Sequence, residues 1–263
     1  MTIITLGPEG TFSHELALRL SCSPLRLVPT IHGVFIAVER GDGDGIVPIE
    51  NSEAGGVGAT LDGLTRFPVY ITREMYMPIH HHLAARVPFE EITVIYAHPQ
   101  THEQCSEHLE HWGIPVIHTS SNAASALEAQ KSPTAGAIIS TSALSLYDLP
   151  LRIKNIENNP ENVTRFVQIA KTPNTAGHEQ KCSILIDPEL DRAGLLYDLL
   201  GVFAQKRINL TRIESRPSKR GIGTYVFFLD YAVSPDTGDT LAHLKKMTTV
   251  KELGCYTRVE VPS

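Results

Sequence analysis

The chain has 263 residues, 42% of them hydrophobic and 20% charged, with a formal net charge of −6. That length suits two domains better than one core, and the composition excludes a fibrous or disordered chain. The acidic balance argues against a nucleic-acid surface, and no apolar run reaches the roughly 20 residues that span a bilayer. Residues 1–6 lack the basic start and long apolar stretch of a signal peptide, so a cytoplasmic location is expected. Cys22, Cys105, Cys182 and Cys255 are far apart, with no Cys-x-x-Cys pair, and are expected as reduced thiols.

Residues 3–6 read as a buried strand ended by Gly7-Pro8. A helix is predicted over 13–20 with Thr11 or Ser13 as its N-cap. A strand at 25–28 follows, then a helix capped by Thr30, apolar along Val34, Phe35 and Val38, and stopped by Gly41. A strand at 45–49 leads into Glu50-Asn51-Ser52 and a glycine turn at Gly55-Gly56. After about Glu74 the pattern begins again, with strands at 76–84, 92–96, 115–118 and 136–139 and helices at 100–111, 123–130 and 142–147. A further apolar strand is predicted at 163–170. This alternation predicts an α/β protein with a mostly parallel sheet, in two lobes facing a cleft.

The polar stretch 171–180 reads as a linker. Beyond it a strand at 182–186, a helix at 193–206, strands at 208–214 and 222–231, a helix at 240–248 and a strand at 252–259 give the β-α-β-β-α-β order of ferredoxin-like units. That order hosts many activities and names none. The expected boundaries are a first domain over 1–171, its second lobe at roughly 75–160, a linker at 172–180 and a second domain over 181–263.

Four segments are richer in polar and turn residues than their framework needs. Gly7-Pro-Glu-Gly-Thr-Phe-Ser-His14 places free backbone N–H groups at a helix start, suited to a carboxylate or phosphate; it also reads as a tight turn with a capping hydroxyl. Pro48-Ile-Glu-Asn-Ser52 sets a carboxylate and an amide after a buried strand, where a cleft would lie, or where a helix needs a cap. His98-Pro-Gln-Thr-His-Glu-Gln-Cys105 repeats the strand, proline, helix pattern. Asn162-Val-Thr-Arg-Phe166 puts Thr and Arg inside an apolar strand, where a buried charge needs a partner. Asn162 and Asn209 sit in glycosylation-type triplets, which without a secretory signal need another explanation. The run His80-His81-His82 invites a metal reading. Neighbours on a strand point to opposite faces, however, and no cysteine or carboxylate set completes a site, so structural histidines are expected. Trp112 reads as a packing anchor.

Taken in order, these four segments resemble those of prephenate dehydratases, and Gly194-Leu-Leu-Tyr197, Asn209-Leu-Thr211 and Glu214-Ser-Arg-Pro217 resemble the ACT regulatory domain attached to that enzyme. The resemblance covers nearly the whole chain. It implies a two-lobed, periplasmic-binding-protein-like catalytic domain followed by an ACT domain. It also implies conversion of prephenate to phenylpyruvate with loss of carbon dioxide and water, driven by ring aromatisation, without cofactor or metal. Because Gly7-Pro8 begins almost at Met1, a monofunctional chain is expected, with no chorismate mutase ahead of it.

The residues carried over are Thr164 as donor to the leaving hydroxyl and Glu50 as the carboxyl candidate for acid work, or else as an ionised group orienting Asn51. Asn51 and Gln104 would hydrogen-bond the substrate, and Arg165 would clamp a carboxylate. Thr11 and Ser13 would hold the other carboxylate, with Ser52 and Phe166 completing the substrate site. The motif departs from the family at Ala97 and at Ser121-Asn-Ala123, so Ser121 and Asn122 are left outside the expected site. In the C-terminal domain Gly194, Leu195, Leu196, Asn209, Leu210, Glu214 and Ser215 would bind L-phenylalanine as a feedback inhibitor. ACT domains usually pair, which implies a homodimer or homotetramer. Arogenate dehydratase and a non-catalytic small-molecule sensor are the alternative readings.

Overall fold

The computed structural model describes residues 1–174, 177–189, 192–221 and 223–262. The first lobe grows from β1 (Ile3–Leu6), α1 (Phe12–Arg19), β2 (Leu25–Val28), α2 (Ile31–Arg40) and β3 (Asp44–Asn51). Local chemistry sets the helix ends. Thr11 Oγ1 accepts the His14 N–H, Thr30 Oγ1 accepts the Gly33 N–H, and α2 ends at Gly41 in the left-handed region. β1 pairs in parallel with β2 and β3. The predicted strand at 45–49 runs on to Asn51, so Glu50 and Asn51 sit inside it rather than after it.

β4 (Gly55–Gly56) folds back onto β3, and α3 (Gly58–Arg66) follows. No helix is expected there from the sequence, because glycines at its first position and in its interior weaken helix propensity. Gly63 is needed all the same: a Cβ would lie 2.3 Å from Phe35 Cε2, so α3 packs onto α2 at a separation only glycine allows.

The predicted strand at 76–84 is two strands, β5 (Tyr70–Pro78) in the first sheet and β6 (His82–Ala85) in the second. The chain crosses between the lobes at 79–81. The second sheet has the order β10-β6-β9-β7-β8, with β7 (Val94–Ala97), β8 (Val116–His118), β9 (Ala135–Ile139) and β10 (Leu151–Ile153). Its helices are α4 (Pro99–Gln104), α5 (Ser106–Trp112), α6 (Asn122–Lys131) and α7 (Ala143–Leu146). The single helix predicted at 100–111 breaks at Cys105, which is buried between α4 and α5. The chain returns through 154–162 into β11 (Val163–Ala170), which lies between β3 and β5 and antiparallel to both. The first sheet is therefore mixed rather than mostly parallel.

The C-terminal unit comprises β12 (Lys181–Asp187), α8 (Leu195–Gln205), β13 (Leu210–Pro217), β14 (Tyr225–Ala232), α9 (Thr237–Met247) and β15 (Thr249–Val259). Its order β13-β14-β12-β15 is ferredoxin-like. Thr257–Val259 of β15 pairs in parallel with Arg73–Met75 of β5, which joins this unit and the first lobe into one ten-stranded sheet. One face of the unit packs Ile184, Ile186, Leu229 and Tyr231 under α8 and α9. The other packs Leu185, Val226, Phe228 and Tyr256 against Val34, Phe35 and Leu64 of the first lobe. Lys251 Nζ donates to Leu64 O at 2.6 Å and Phe67 O at 2.7 Å, satisfying carbonyls at the end of α3.

Four free thiols were expected, but Cys182 and Cys255 are disulfide-bonded and only Cys22 and Cys105 are free. The pair lies 73 residues apart in sequence and becomes opposite only through the β12–β15 register. Thr175 and Ala176 of the predicted linker, Ile222 at the start of a predicted strand, and Ser263 lie outside the described residues. No helix among the described residues is long and apolar enough to cross a membrane.

Candidate active site

Where the chain changes lobes, backbone geometry leaves a cavity of about 300 Å³ between them. Three helix starts line it: Thr11, Phe12 and Ser13 of α1, Gln100 and Thr101 of α4, and Ser121 and Asn122 of α6. Their first N–H groups have no partner inside the helix and carry the positive end of its dipole. The floor comes from β3 and β11, whose alternation sends Asn51, Thr164 and Phe166 inward.

The Asn51 amide is oriented by its own turn. Its Oδ1 accepts the N–H groups of Glu53 (3.1 Å) and Ala54 (3.0 Å), which leaves Nδ2 to donate to Asn162 Oδ1 (2.7 Å) and Thr164 Oγ1 (3.0 Å). Thr164 therefore spends a lone pair on Asn51, and its own O–H stays available to a ligand. The buried Asn162 explains the first glycosylation-type triplet. It is a core residue that ties β3 to β11.

Gln104 is held from the other lobe, where its Oε1 lies 2.9 Å from His81 Nε2. Burial pushes the His81 pKa down, so the ring is neutral and Nε2–H donates. The Gln104 amide nitrogen is then free for the cavity. His80 and the His81 N–H bond Glu157 (2.7 and 2.9 Å), while His82 reaches Thr141 (2.9 Å). The three imidazole rings thus have separate partners, Glu157, Gln104 and Thr141. Burial raises the Glu157 pKa, but the bonds from His80 and His81 outweigh it and hold the carboxyl below its ordinary range.

Of the sequence-predicted residues, Thr11, Ser13, Asn51, Gln104, Thr164 and Phe166 converge on the cavity. Three do not. Ser52 Oγ is a stitch, accepting the Val163 N–H at 3.0 Å and donating to Asn162. Glu50 and Arg165 alternate with Asn51 and Thr164 and so face the opposite side of the sheet. There Glu50 pairs with Arg212 at 3.3 Å, and Arg165 is buried against Glu74 at 2.8 Å and Asp230 at 2.6 Å. The carboxylate clamp read into Arg165 and the acid read into Glu50 are geometrically removed from the cavity. Strand alternation alone, with the cavity side fixed by Thr164, could have separated them.

Phe12, His81, Thr101, Ser121 and Asn122, which are not among the expected site residues, also line the cavity. Ser121 caps α6 through the Ala124 N–H, and Thr101 Oγ1 donates to Asn122 Oδ1 at 2.7 Å. The capping signal at Ser121 was present in the sequence. Among the described residues, no Asp, Glu, Lys or Arg lines the cavity.

In the C-terminal unit, Gly194 precedes α8 in the left-handed region, and Leu195 and Leu210 share the cluster under that helix. Leu196 is half-buried, Asn209 is exposed, and Ser215 is on the exposed face of β13. Glu214 is on the other face, paired with Arg212 and lying over Gly56, away from Gly194.

Compared with known proteins, residues 3–174 match the family model for prephenate dehydratase. The chain belongs to the prephenate dehydratase family. Residues 184–248 match the ACT domain. Prephenate dehydratase of Methanocaldococcus jannaschii is 36% identical over 97% of both chains. An arogenate dehydratase/prephenate dehydratase of Arabidopsis thaliana is 32% identical over 95% of this chain and 70% of its own. The crystal structure of prephenate dehydratase from Arthrobacter aurescens in complex with L-Phe superposes with a TM-score of 0.87. It is 29% identical, over 98% of this chain and 90% of that one. The family's reaction is that of a carbon–oxygen lyase, the decarboxylative dehydration of prephenate to phenylpyruvate.

Proposed function

We propose that this family member turns over prephenate in the interlobe cavity with Thr164 as donor to the departing ring hydroxyl. The observation that carries the assignment is the Asn51 to Thr164 hydrogen bond, which orients the threonine oxygen and frees its proton. As the bond from the ring to its carboxylate carbon breaks, that electron pair enters the ring and the C–O bond to the hydroxyl breaks. The leaving oxygen takes up a proton, and carbon dioxide and water depart. A threonine hydroxyl is too weak an acid to ionise, so it polarises the leaving oxygen while the proton comes from solvent.

The neutral cavity suits this chemistry. Helix N-termini at Ser13 and Asn122, with the Gln104 amide, can hold two carboxylates without a cation beside the one that leaves. A cation there would stabilise the ground-state charge that decarboxylation removes.

Further parts of the reading rest on the family resemblance and are likewise proposals. The catalytic unit is 1–171, with its second lobe at roughly 75–160. A linker covers 172–180, and the regulatory unit covers 181–263. L-Phenylalanine binds at Gly194, Leu195, Leu196, Asn209 and Leu210, in a homodimer or homotetramer formed through ACT domains of a cytoplasmic protein. The test is phenylpyruvate formation from prephenate by purified chain, with and without phenylalanine, arogenate being offered in competition. Turnover suppressed by phenylalanine supports both halves. Preference for arogenate moves the substrate assignment, and absence of turnover by the folded chain rejects it.

A further inference from the structure

We infer that Arg165 is a positioning residue, the link through which the C-terminal sheet holds the strand that carries Thr164. The inference rests on the prephenate reading of the cavity and extends it to how the two units are coupled. β11 presents Thr164 and Phe166 to the cavity and Arg165 to the opposite face. Arg165 Nη1 donates to Asp230 Oδ2 at 2.6 Å, Nη2 to Tyr256 Oη at 2.9 Å, and Nε to Glu74 Oε2 at 2.8 Å. Ser183 Oγ lies 2.5 Å from both Asp230 Oδ1 and Tyr256 Oη. Two strands of the C-terminal unit, β14 and β15, therefore meet one side chain of β11, and β12 braces both acceptors through Ser183.

Two physical features make this contact more than a glue. A guanidinium is a planar fork, so its acceptors must keep fixed directions as well as distances. The Arg165 side chain is 4% exposed and has little room to rearrange, so a shift of Asp230 or Tyr256 is passed toward its backbone, one residue from Thr164. The β3–β11 ladder is also irregular between Arg165 and Phe166. On that edge the bulge weakens the backbone pairing, so β11 is held there by its regular ladder with β5 and by side-chain contacts. The acceptors are buried: Asp230 is 2% exposed and Tyr256 0%.

Tyr256→Phe removes one hydroxyl, Asp230→Asn removes one charge at nearly constant shape, and neither touches the cavity. In the full-length chain each is expected to lower kcat about tenfold or more, to leave KM for prephenate within about twofold, and to shift the phenylalanine inhibition constant about fivefold or more. Lys251→Met breaks another contact between the same two units and is expected to leave all three at wild-type values. A raised KM with kcat retained, unchanged kinetics in both variants, or the same loss in Lys251→Met would each overturn the inference. Wild-type chain that does not turn over prephenate would strike the substrate reading instead. Amide hydrogen exchange over 163–166 then decides the link, since faster exchange in Tyr256→Phe but not in Lys251→Met supports it and equal exchange rejects it.

Discussion

The two faces of β11 work by different physics. Toward the cavity, Thr164 and Phe166 meet neutral amides, hydroxyls and helix ends, and no charged side chain among the described residues. Behind them, Arg165 sits amid Glu74, Asp230 and Glu50, with Lys181 and Arg212 completing the cluster. A substrate with two negative charges would be expected to seek the charged side, yet Arg165 there is covered by the C-terminal sheet and already paired with Glu74 and Asp230. The charge is spent on holding the units together, and the chemistry is left to groups whose direction, rather than charge, is controlled.

The comparison breaks most visibly if Arg165→Met is harmless. It strands the Asp230 carboxylate in a buried site, while Glu74 keeps Lys181, so a loss of about 3–5 kcal/mol in denaturant unfolding is expected. Next comes the cavity side, where Thr164→Val should lower kcat by about 10²–10³-fold while its unfolding midpoint stays close to wild type. Comparable damage to stability by both changes would erase the distinction between the faces.

A smaller effect is expected from His82, at the crossing between lobes. Its Nδ1 accepts the Asn155 N–H and its Nε2 bonds Thr141, a pattern only the neutral ring satisfies. Burial pushes its pKa down to about 4, against partial compensation from Glu157, with His80, His81 and Lys154 lowering it further. The unfolded chain binds this proton near pH 6.5 and the folded chain near 4, so protons favour unfolding across that window. The stability this histidine confers is complete above pH 6.5 and is lost as pH falls toward 4. Thermal unfolding followed from pH 7 to 4 should decline less steeply in His82→Asn. The least effect belongs to the exposed Arg26–Asp42 pair, where Asp42→Asn should change stability by less than about 0.5 kcal/mol.

Much of the frame was legible because local chemistry wrote it. Thr11, Thr30 and Gly41 mark helix ends that the structure keeps, and the apolar runs of β1, β2 and β11 lie at the predicted residues. What escaped is set by distant partners. The helix α3 depends on Gly63 meeting Phe35, the break in the strand at 76–84 depends on where the lobes part, and the disulfide depends on a register between β12 and β15. Within the site, the motif located Thr164, Asn51 and Gln104, but motif membership carried no sense of face. Arg165 and Glu50 were grouped with their neighbours although strand alternation turns them away. His81 was hidden for the opposite reason, since its role comes from Gln104 across the crossing.

The pairing of β15 with β5 has a consequence for the history of such chains. A regulatory module hung on a linker could be gained, lost or exchanged as a cassette. Here, removing it would bare Arg73–Met75 as an open strand edge and uncover Phe35 and Leu64, both completely buried in the full chain. An unpaired edge beside an apolar patch invites association with any passing strand. Separating the two units would therefore expose surface on both, each serving as the other's outer wall.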